Sequence, residues 1–313
     1  TGCLSADRAE AVAKAVAEAT AVYDLQFAEP AEDEIPPSVM ENMAFAAPYE
    51  AVTEMYSRPK IGSLDPSFMM APWHFIFFGM MLSDAGYGLV LTILLFIVLK
   101  VLKPEGGAGK LVTVIFLGSI STIFWGAMFG GWFGLEFNPI LLSPMNEPLK
   151  MLALCFGLGA AHIILGVCMK MYLEIKRGQI WNAIFDQLSW LVIFAGLGLI
   201  GFMPDTQVGK YLALSGMTVI ILTGGRDKKN ILRRLLGGVL SLYNFSGYFS
   251  DLLSYSRLFA LGLSTGVIAM VINTIAHMLW QAGPFGIVIA IVFLLLGHTF
   301  NIAVNIMGAF VHT

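Results

Sequence analysis

Charged residues are scarce in this sequence. Asp, Glu, Lys and Arg make up 12% of the 313 residues and 57% are hydrophobic, whereas a soluble domain carries about 25% charged residues. The net charge of −3 leaves no basic surface for nucleic acid. We therefore predict an integral membrane protein that contacts the lipid bilayer and binds no nucleic acid.

Cysteine is also rare, with three residues at positions 3, 155 and 168. Cys155 and Cys168 would lie about 20 Å apart on one helix, whereas a disulfide needs Cα atoms within about 7 Å of each other. The sequence therefore predicts no disulfide framework.

No arrangement typical of an enzyme site stands out. The five histidines lack the spacing of a metal site, and no nucleophile lies in a pattern with His and an acid. The glycines at 196–201 fit the pattern of a dinucleotide-binding loop, but they lie inside an apolar run rather than between a strand and a helix. The glycines at 106–109 resemble a phosphate-binding loop, but Leu111 stands where that loop needs Ser or Thr. We predict no metal, no cofactor and no nucleotide site in this chain.

The first 65 residues differ from the rest, because they hold 12 of the 21 carboxylates. An Ala-rich segment from Ser5 to about Thr20 predicts a helix, and alternating hydrophobic residues at 23–27 predict one strand. The acidic segment Glu29–Pro37 predicts a linker. We interpret residues 1–65 as a small α/β remnant of a cytoplasmic domain with its linker, and residues 66–313 as the transmembrane domain.

The membrane part begins at Asp65-Pro66, a helix cap followed by proline at the first helical position. The apolar run from Pro66 to Leu99 would form a helix of about 50 Å, longer than the hydrocarbon core of about 30 Å, so we predict a break at Gly86–Gly88. Together with the later runs this predicts about eight transmembrane helices in an all-α protein, including two long tilted helices at the end. The later spans fall near 110–133, 150–171, 184–203, 210–223, 245–280 and 285–313.

Basic residues predict the orientation of these spans. With the N-terminus inside, the inside loops hold 11 Lys and Arg residues, and the outside loops hold only Lys150 and Lys210. We therefore predict that both termini are cytoplasmic. The sequence starts without Met and stops inside an apolar helix, so we expect both ends to continue in a longer protein.

One ionisable residue, Arg257, lies deep in a predicted span. An arginine at the centre of a membrane costs between about 2.5 and well over 10 kcal/mol, depending on the method, so its position needs a compensating interaction. Two structural explanations are an ion pair with Asp84 or Asp186 and snorkelling to the interface. A functional charge is the third and is the one we favour.

Polar residues share a helix face with Arg257, and others form a second stripe on the last span. Steps of three and four residues place each set on one face, and a polar face is costly in lipid, so both must face protein or water. We favour a hydrated half-path for an ion over hydrogen bonds between helices. The first face holds Ser250, Ser254, Arg257, Leu261 and Ser264, and the second holds His298, Asn301, Asn305, Gly308 and His312.

These segments resemble the membrane domain of subunit I, called a in eukaryotes, of V-type and A-type rotary ATPases. The resemblance covers the whole sequence, with the end of the N-terminal cytoplasmic domain in front of the membrane domain. The most specific blocks are Phe-Phe-Gly-Met-Met-Leu-Ser-Asp-Ala-Gly-Tyr-Gly at 77–88 and Ser-Tyr-Ser-Arg-Leu-Phe-Ala-Leu within Asp251–Ser264, and further matches lie at Tyr49–Met55, Arg58–Lys60 and Gly297–Thr313.

The resemblance implies a non-catalytic stator subunit of an ion-translocating rotary ATPase. In that family, a ring of small helical subunits of the c or K type rotates against this subunit, and two half-channels carry protons or sodium ions to the carboxylates of the ring. This transport is coupled to ATP hydrolysis or synthesis. The other implied partners are the peripheral-stalk subunits, through the N-terminal domain, and the central-stalk and ATPase subunits. The implied location is the plasma membrane of a bacterium or an archaeon.

Arginines on the long tilted helices separate the two half-channels in that family. Arg257 matches the first of them, and the second would follow His312-Thr313 and is absent here. Asn305 stands where eukaryotic relatives have a glutamate, and Thr265 where they have a histidine. The residues we expect in ion translocation are Arg257, Ser250, Ser254, Ser264, His298, Asn301, Asn305 and His312, with Asp84 and Asp251 in supporting places.

Two other classes of protein stay open. A secondary ion-coupled transporter would show inverted repeats with broken helices at matching positions, and the glycines at 86–88 have no counterpart in the second half. A purely structural membrane scaffold leaves Arg257 unexplained.

Overall fold

The computed structural model describes residues 4, 6–28, 40–59, 63–203, 205–226 and 231–313, and these are mostly helical. The α-helices are α1 (Ala9–Ala19), α2 (Glu50–Tyr56), α3 (Ser67–Leu82), α4 (Ala85–Val101), α5 (Gly106–Phe129), α6 (Pro148–Lys176), α7 (Ile180–Asn182), α8 (Ser189–Phe202), α9 (Val208–Thr223), α10 (Ile231–Leu242), α11 (Asn244–Ser254), α12 (Ser256–Trp280) and α13 (Pro284–His312). Short 3₁₀ turns lie at Ala6–Arg8 and Ala47–Tyr49, and a π-helical turn at Ala183–Leu188 joins α7 to α8. Two short strands, β1 (Gly131–Trp132) and β2 (Leu135–Glu136), form an antiparallel hairpin.

Five helical segments of the described chain are long and apolar enough to cross a membrane. Their outer surfaces carry large exposed hydrophobic side chains, such as Leu296 and Phe300 on α13, and such a surface is stable in lipid rather than in water. The prediction of an all-α integral membrane protein is therefore confirmed. The helices α3, α4 and α9 are apolar but shorter, and the count of eight spans, which includes them, stays a prediction.

The N-terminal segment contains the predicted helix but not the predicted strand. Helix α1 ends at Ala19, close to the expected end, whereas residues 23–28 have no regular structure. An isolated strand leaves its backbone N–H and C=O groups without partners, and among the described residues no strand lies beside this segment to pair with it. The predicted linker Glu29–Pro37 lies outside the described residues.

The break in the first apolar run lies earlier than predicted. Ser83 adopts a left-handed conformation with φ of 43° at the end of α3, and the Asp84 side chain accepts a hydrogen bond from the backbone N–H of Tyr87 to begin α4. The expected break at Gly86–Gly88 is therefore wrong. These glycines lie in the first turn of α4, where a Cβ on Gly88 would come within 2.7 Å of the Ile123 backbone nitrogen of α5, so they allow close helix packing.

Helix α5 packs against both α3 and α4. Contacts such as Phe78 with Gly118 show that α3 runs parallel to α5, and those of Thr92 with Ser119 and Phe96 with Phe116 show that α4 runs antiparallel to it. The hairpin of α12 and α13 packs on α3, and α6 packs against α12. Helices α8, α9 and α10 form a second group, with a core around Trp190.

The helices α10, α11 and α12 follow one another with single-residue interruptions at Tyr243 and Tyr255. The apolar stretch from Leu236 to Trp280 contains 45 residues and would be about 68 Å long as a straight helix. Since the hydrocarbon core is about 30 Å thick, this stretch must be steeply tilted or extend beyond the core, as the sequence predicted for 245–280.

Residues before α3 pack onto the membrane helices through a polar junction. The buried carboxylate of Glu50 accepts a hydrogen bond from Lys110 Nζ on α5 at 2.6 Å, and Asn42 Nδ2 donates to both Glu50 and Asp65. Burial favours a higher pKa for Asp65, but hydrogen bonds from Ser67 and Asn42 outweigh it and hold that pKa below its ordinary value. The Ser67 backbone N–H donates to Asp65 Oδ1 at 2.9 Å, so Asp65 caps α3 as predicted.

Candidate functional site

The side chain of Arg257 is exposed on the first turn of α12. Its Nη1 lies 3.0 Å from Nδ1 of His312, at the end of α13. Among the residues that the structure describes, no carboxylate lies within ion-pair distance of this guanidinium. Both structural ion pairs considered from the sequence, with Asp84 and with Asp186, are therefore wrong.

The carboxylate of Asp84 binds backbone N–H groups instead of Arg257. Its carboxylate is 2% exposed and accepts hydrogen bonds from the N–H groups of Tyr87 at 3.0 Å, Phe133 at 2.9 Å and Gly134 at 3.0 Å. One side chain thus satisfies three backbone donors. Asp84 thus joins the start of α4 to the β1–β2 hairpin.

Asp186 forms a bidentate ion pair with Arg226. The two guanidinium nitrogens lie 2.9 and 2.6 Å from the two carboxylate oxygens, the geometry that makes an Arg–carboxylate pair strong. The carboxylate lies on the π-helical turn before α8 and the arginine follows α9, so this pair fixes two neighbouring helices. The carboxylate of Asp186 is therefore paired with Arg226 and not with Arg257.

A cleft of about 270 Å³ lies beside Arg257. It is formed where α11 meets α12, and α3, α6 and the end of α13 complete its walls. The cleft brings together Ser254 and Arg257 of the first stripe, His312 of the second, and Asp251, which we expected in a supporting place. The lining also includes Phe77, Met81, His162, Ile163, Tyr255, Leu258 and Thr313.

The predicted polar face of α11 and α12 points outward only in its first part. Ser250, Ser254 and Arg257 are exposed, whereas Leu261 and Ser264 are half-buried. Ser254 Oγ donates to the Ser250 carbonyl at 2.9 Å, which satisfies this hydroxyl within its own helix. The exposed part is therefore a short polar strip that ends at Arg257, and the exposed carboxylate of Asp251 lies in the same cleft.

The stripe on α13 is turned toward the protein. Asn301 and Asn305 are 1% and 5% exposed, so both side chains face the protein rather than water in this chain, and the hydrated half-path stays a prediction. Asn301 Nδ2 donates to Tyr87 Oη at 3.0 Å and to the Thr265 carbonyl at 3.2 Å, and Asn305 Nδ2 donates to Asn301 Oδ1 at 2.6 Å. Hydrogen bonds between helices account for this face.

His298 continues the same network toward the β1–β2 hairpin. Asn273 Nδ2 donates to the Phe133 carbonyl at 2.7 Å, so Asn273 Oδ1 is free to accept from His298 Nε2 at 3.1 Å. His298 Nδ1 then accepts from the Tyr87 hydroxyl at 2.6 Å. The bonds point in one consistent direction, and they join α4, α12, α13 and the hairpin around a neutral imidazole.

Sequence reasoning missed Tyr87, Asn273, His162 and Tyr255. Tyr87 was noted only as part of Gly-Tyr-Gly, and its two polar partners lie more than 200 positions away in the chain. His162 Nδ1 lies 2.7 Å from the Tyr255 hydroxyl, across 93 positions. Periodicity reports the face of one helix, so it contains no signal for such pairs.

Among the described residues, no group of three or more His, Cys, Asp or Glu is placed to hold a metal ion.

The chain is similar in sequence to several known proteins. No protein-family model matches the chain. The chain is 31% identical to A-type ATP synthase subunit I of Methanocaldococcus jannaschii over 98% of its own length and 50% of that protein. It is 33% identical to the Pyrococcus horikoshii A-type subunit I, over 92% of the chain and 46% of the relative. The Borreliella burgdorferi V-type ATP synthase subunit I is 29% identical, over 100% of the chain and 55% of that protein. The chain thus spans about half the length of the curated relatives it matches.

Proposed function

The chain is homologous to subunit I of the A-type and V-type ATP synthases, and on this premise we propose that it is the part of the stator that faces the rotating membrane ring. Its role is to guide protons or sodium ions to and from the ring carboxylates, coupled to ATP hydrolysis or synthesis. It supplies charge and position rather than a nucleotide site.

The observation that carries the proposal is the exposed guanidinium of Arg257. This cation is exposed within an apolar helical stretch, and no carboxylate of the described chain lies within ion-pair distance of it. An arginine in a membrane needs an acidic partner or water. A carboxylate on a neighbouring subunit that passes along this surface supplies that partner. Replacement of Arg257 by alanine tests the proposal, because coupled transport should stop while the complex still assembles.

Arginine suits this task for two reasons. A fixed cation favours the ionised form of a nearby carboxylate, and at about 4 Å the attraction is about 4 kcal/mol at an effective dielectric of 20. A ring carboxylate that reaches Arg257 therefore releases its ion there. Arginine also stays protonated when it is desolvated, whereas a lysine can lose its proton. The same charge repels free cations and so prevents a leak between the half-paths.

The other polar residues have separate places in the proposal. Ser250 and Ser254, with Asp251, border the path beside Arg257 on the α11 side, and His312 contacts the guanidinium at the end of α13. His298 borders the second path, and the buried Asn301 and Asn305 support it through the network around Tyr87. Ser264 is the member of the α12 stripe that we place beside this path. Asp84 supports this second group because it holds the hairpin that Asn273 contacts.

His298 is the member of that network we expect to meet water, because it is half-buried while Asn301 and Asn305 are buried. In the assembled complex, a cysteine at His298 should react with a membrane-impermeant thiol reagent, and a cysteine at Asn301 should not. A cysteine at Phe300, which is 70% exposed on the lipid side of α13, is the matched control and should stay unlabelled. Absence of labelling at position 298 would show that the network serves packing alone.

The topology we propose has eight spans and both termini of the chain in the cytoplasm. Reporters fused after Lys103, Arg177 and Lys229 should then report the cytoplasm, and reporters fused after Asn146 and Asp205 should report the outside. The physical reason is the excess of basic residues in the inside loops. Two or more reversed reporters would contradict the eight-span topology.

The homology to subunit I also supports proposals for the partners of the chain, its domains and its membrane. We propose that the chain contacts a ring of c-type or K-type helical subunits, and that residues 1–65 end a cytoplasmic domain that binds peripheral-stalk subunits. Central-stalk and ATPase subunits complete the complex. The plasma membrane of a bacterium or an archaeon is the proposed location.

A further inference from the structure

The turn between α11 and α12 is tighter than an α-helix. The Tyr255 N–H donates to the Leu252 carbonyl at 3.1 Å, and the Leu258 N–H donates to the Tyr255 carbonyl at 3.1 Å. Both bonds span three residues rather than four, the spacing of a 3₁₀ turn, and such a turn inside a long helix often marks a hinge. Arg257 lies within this turn, so the turn sets the direction of its side chain.

The side chain of Tyr255 packs against helix α6. A Cβ on Gly159 would lie 2.5 Å from the Tyr255 ring, so the ring can lie against α6 only because residue 159 is glycine. One turn further along α6, His162 Nδ1 lies 2.7 Å from the Tyr255 hydroxyl. Packing on Gly159 and the hydrogen bond with His162 thus both hold Tyr255 against helix α6.

Aromatic rings of α3 hold this histidine in turn. The Trp73 ring stacks on His162 with centroids 4.8 Å apart, and Phe77 meets His162 edge-on at 5.5 Å. Phe77 also meets the Tyr255 ring at 5.6 Å. Such aromatic contacts restrict side-chain rotation and add to stability beyond area burial. Helices α3 and α6 therefore fix the position of Tyr255.

None of these four side chains forms a hydrogen bond or a cation–π contact with the guanidinium of Arg257. The one polar contact of the guanidinium among the described residues is the exposed His312, and an exposed hydrogen bond restrains a long side chain weakly. The direction of Arg257 is therefore decided by the backbone from which it emerges, and that backbone is held at Tyr255.

We propose that Tyr255, through its hydrogen bond to His162, is a positioning residue that fixes the turn and aims Arg257 at the ring. The inference rests on the proposed role of Arg257. Without the bond, the turn exchanges with a straighter or more bent helix, and the cation meets the passing carboxylate in only part of the rotational steps.

The test compares substitutions at both ends of the bond in the assembled complex. Tyr255→Phe, which keeps the ring and removes the hydroxyl, should lower the number of ions transported per ATP about fivefold, the factor that corresponds to one ordinary hydrogen bond. His162→Leu should have a similar effect, and Tyr255→Phe should add little to it. His162→Asn should restore most of the coupling, because its side-chain amide can occupy the place of Nδ1.

A spectroscopic measurement reports the turn independently of pumping. In a background without native cysteines, spin labels at Ser246 on α11 and Met270 on α12 would lie about 36 Å apart along a straight helix. Tyr255→Phe should broaden this distance distribution. The matched control is Tyr248→Phe on the same helix, whose ring packs on Trp190 and Phe194, and it should leave both the distribution and the coupling unchanged.

Wild-type coupling and an unchanged distance distribution in both Tyr255→Phe and His162→Leu would overturn the inference. If Arg257→Ala pumps normally while Tyr255→Phe still broadens the distribution, the proposed function fails and the structural part of the inference stands. If Arg257→Ala loses coupling while Tyr255→Phe keeps wild-type coupling, the proposed function stands and the positioning role of Tyr255 fails.

Discussion

Arg257→Ala is expected to abolish ATP-coupled ion transport while the complex still assembles. The substitution removes the charge that makes a passing ring carboxylate release its ion, so the ring carries its ions past the stator without exchange. It costs little stability, because the side chain is exposed and has no ion-pair partner among the described residues. The measurement is ion uptake by reconstituted vesicles at a matched amount of assembled complex.

Arg257→Lys should retain little transport, and most of its loss should occur at alkaline pH. A lysine is a compact charge that loses its proton when desolvated, whereas a guanidinium does not. A pH profile of ion uptake therefore separates a requirement for charge from a requirement for packing. An equal loss at every pH would point to the shape of the side chain.

Arg226→Ala provides the matched contrast, since it removes an arginine that has a structural partner. It leaves Asp186 without its bidentate ion pair, so we expect a lower amount of assembled complex. The complex that does assemble should stay coupled. If Arg257→Ala behaved in this way, or if an assembled Arg257→Ala complex pumped normally, the stator-charge proposal would be contradicted.

The second large effect is expected at Asp84. Asp84→Ala leaves the backbone N–H groups of Tyr87, Phe133 and Gly134 without their acceptor. Hydrogen bonds to a charged group are worth about 1.5–3 kcal/mol each, so the total loss is several kcal/mol. We expect the amount of folded protein in detergent to fall sharply and its midpoint of thermal unfolding to drop.

Two further variants separate the hydrogen bonds of Asp84 from a general effect of charge. Asp84→Asn keeps one side-chain oxygen as an acceptor and should lie between wild type and Asp84→Ala. Asp205→Ala removes an exposed carboxylate and should unfold like wild type. Equal unfolding midpoints for Asp84→Ala and Asp205→Ala would show that the backbone hydrogen bonds contribute nothing to stability.

The membrane class and most helix positions followed from the sequence because they depend on local properties. A run of apolar residues partitions into lipid whatever the rest of the chain does, and Asp65 caps α3 through a bond to a residue two positions away. Arg257 was recognisable for the same reason, since a charge within an apolar run is unusual in any fold.

The strand at 23–27 and the break at Gly86–Gly88 were predicted wrongly because each depends on a neighbour in space. Alternating residues form a strand only beside a second strand, and none of the described residues supplies one. The glycines at 86 and 88 looked like a turn, but their missing Cβ atoms admit Phe133 and Ile123. The chain turns at Ser83 instead, because the carboxylate of Asp84 finds backbone donors in the β1–β2 hairpin.

By itself, the sequence determined that this is a helical membrane protein, that it carries an arginine inside an apolar run, and that polar residues follow one face of its last helix. Only the tertiary structure decided where those faces point. Asn301 and Asn305 meet Tyr87 and Thr265 inside the protein, whereas Arg257 faces outward with no carboxylate of the described residues within ion-pair distance. The physical reason is that helical periodicity places residues around one axis, while burial and hydrogen bonding depend on which other helices pack against that axis.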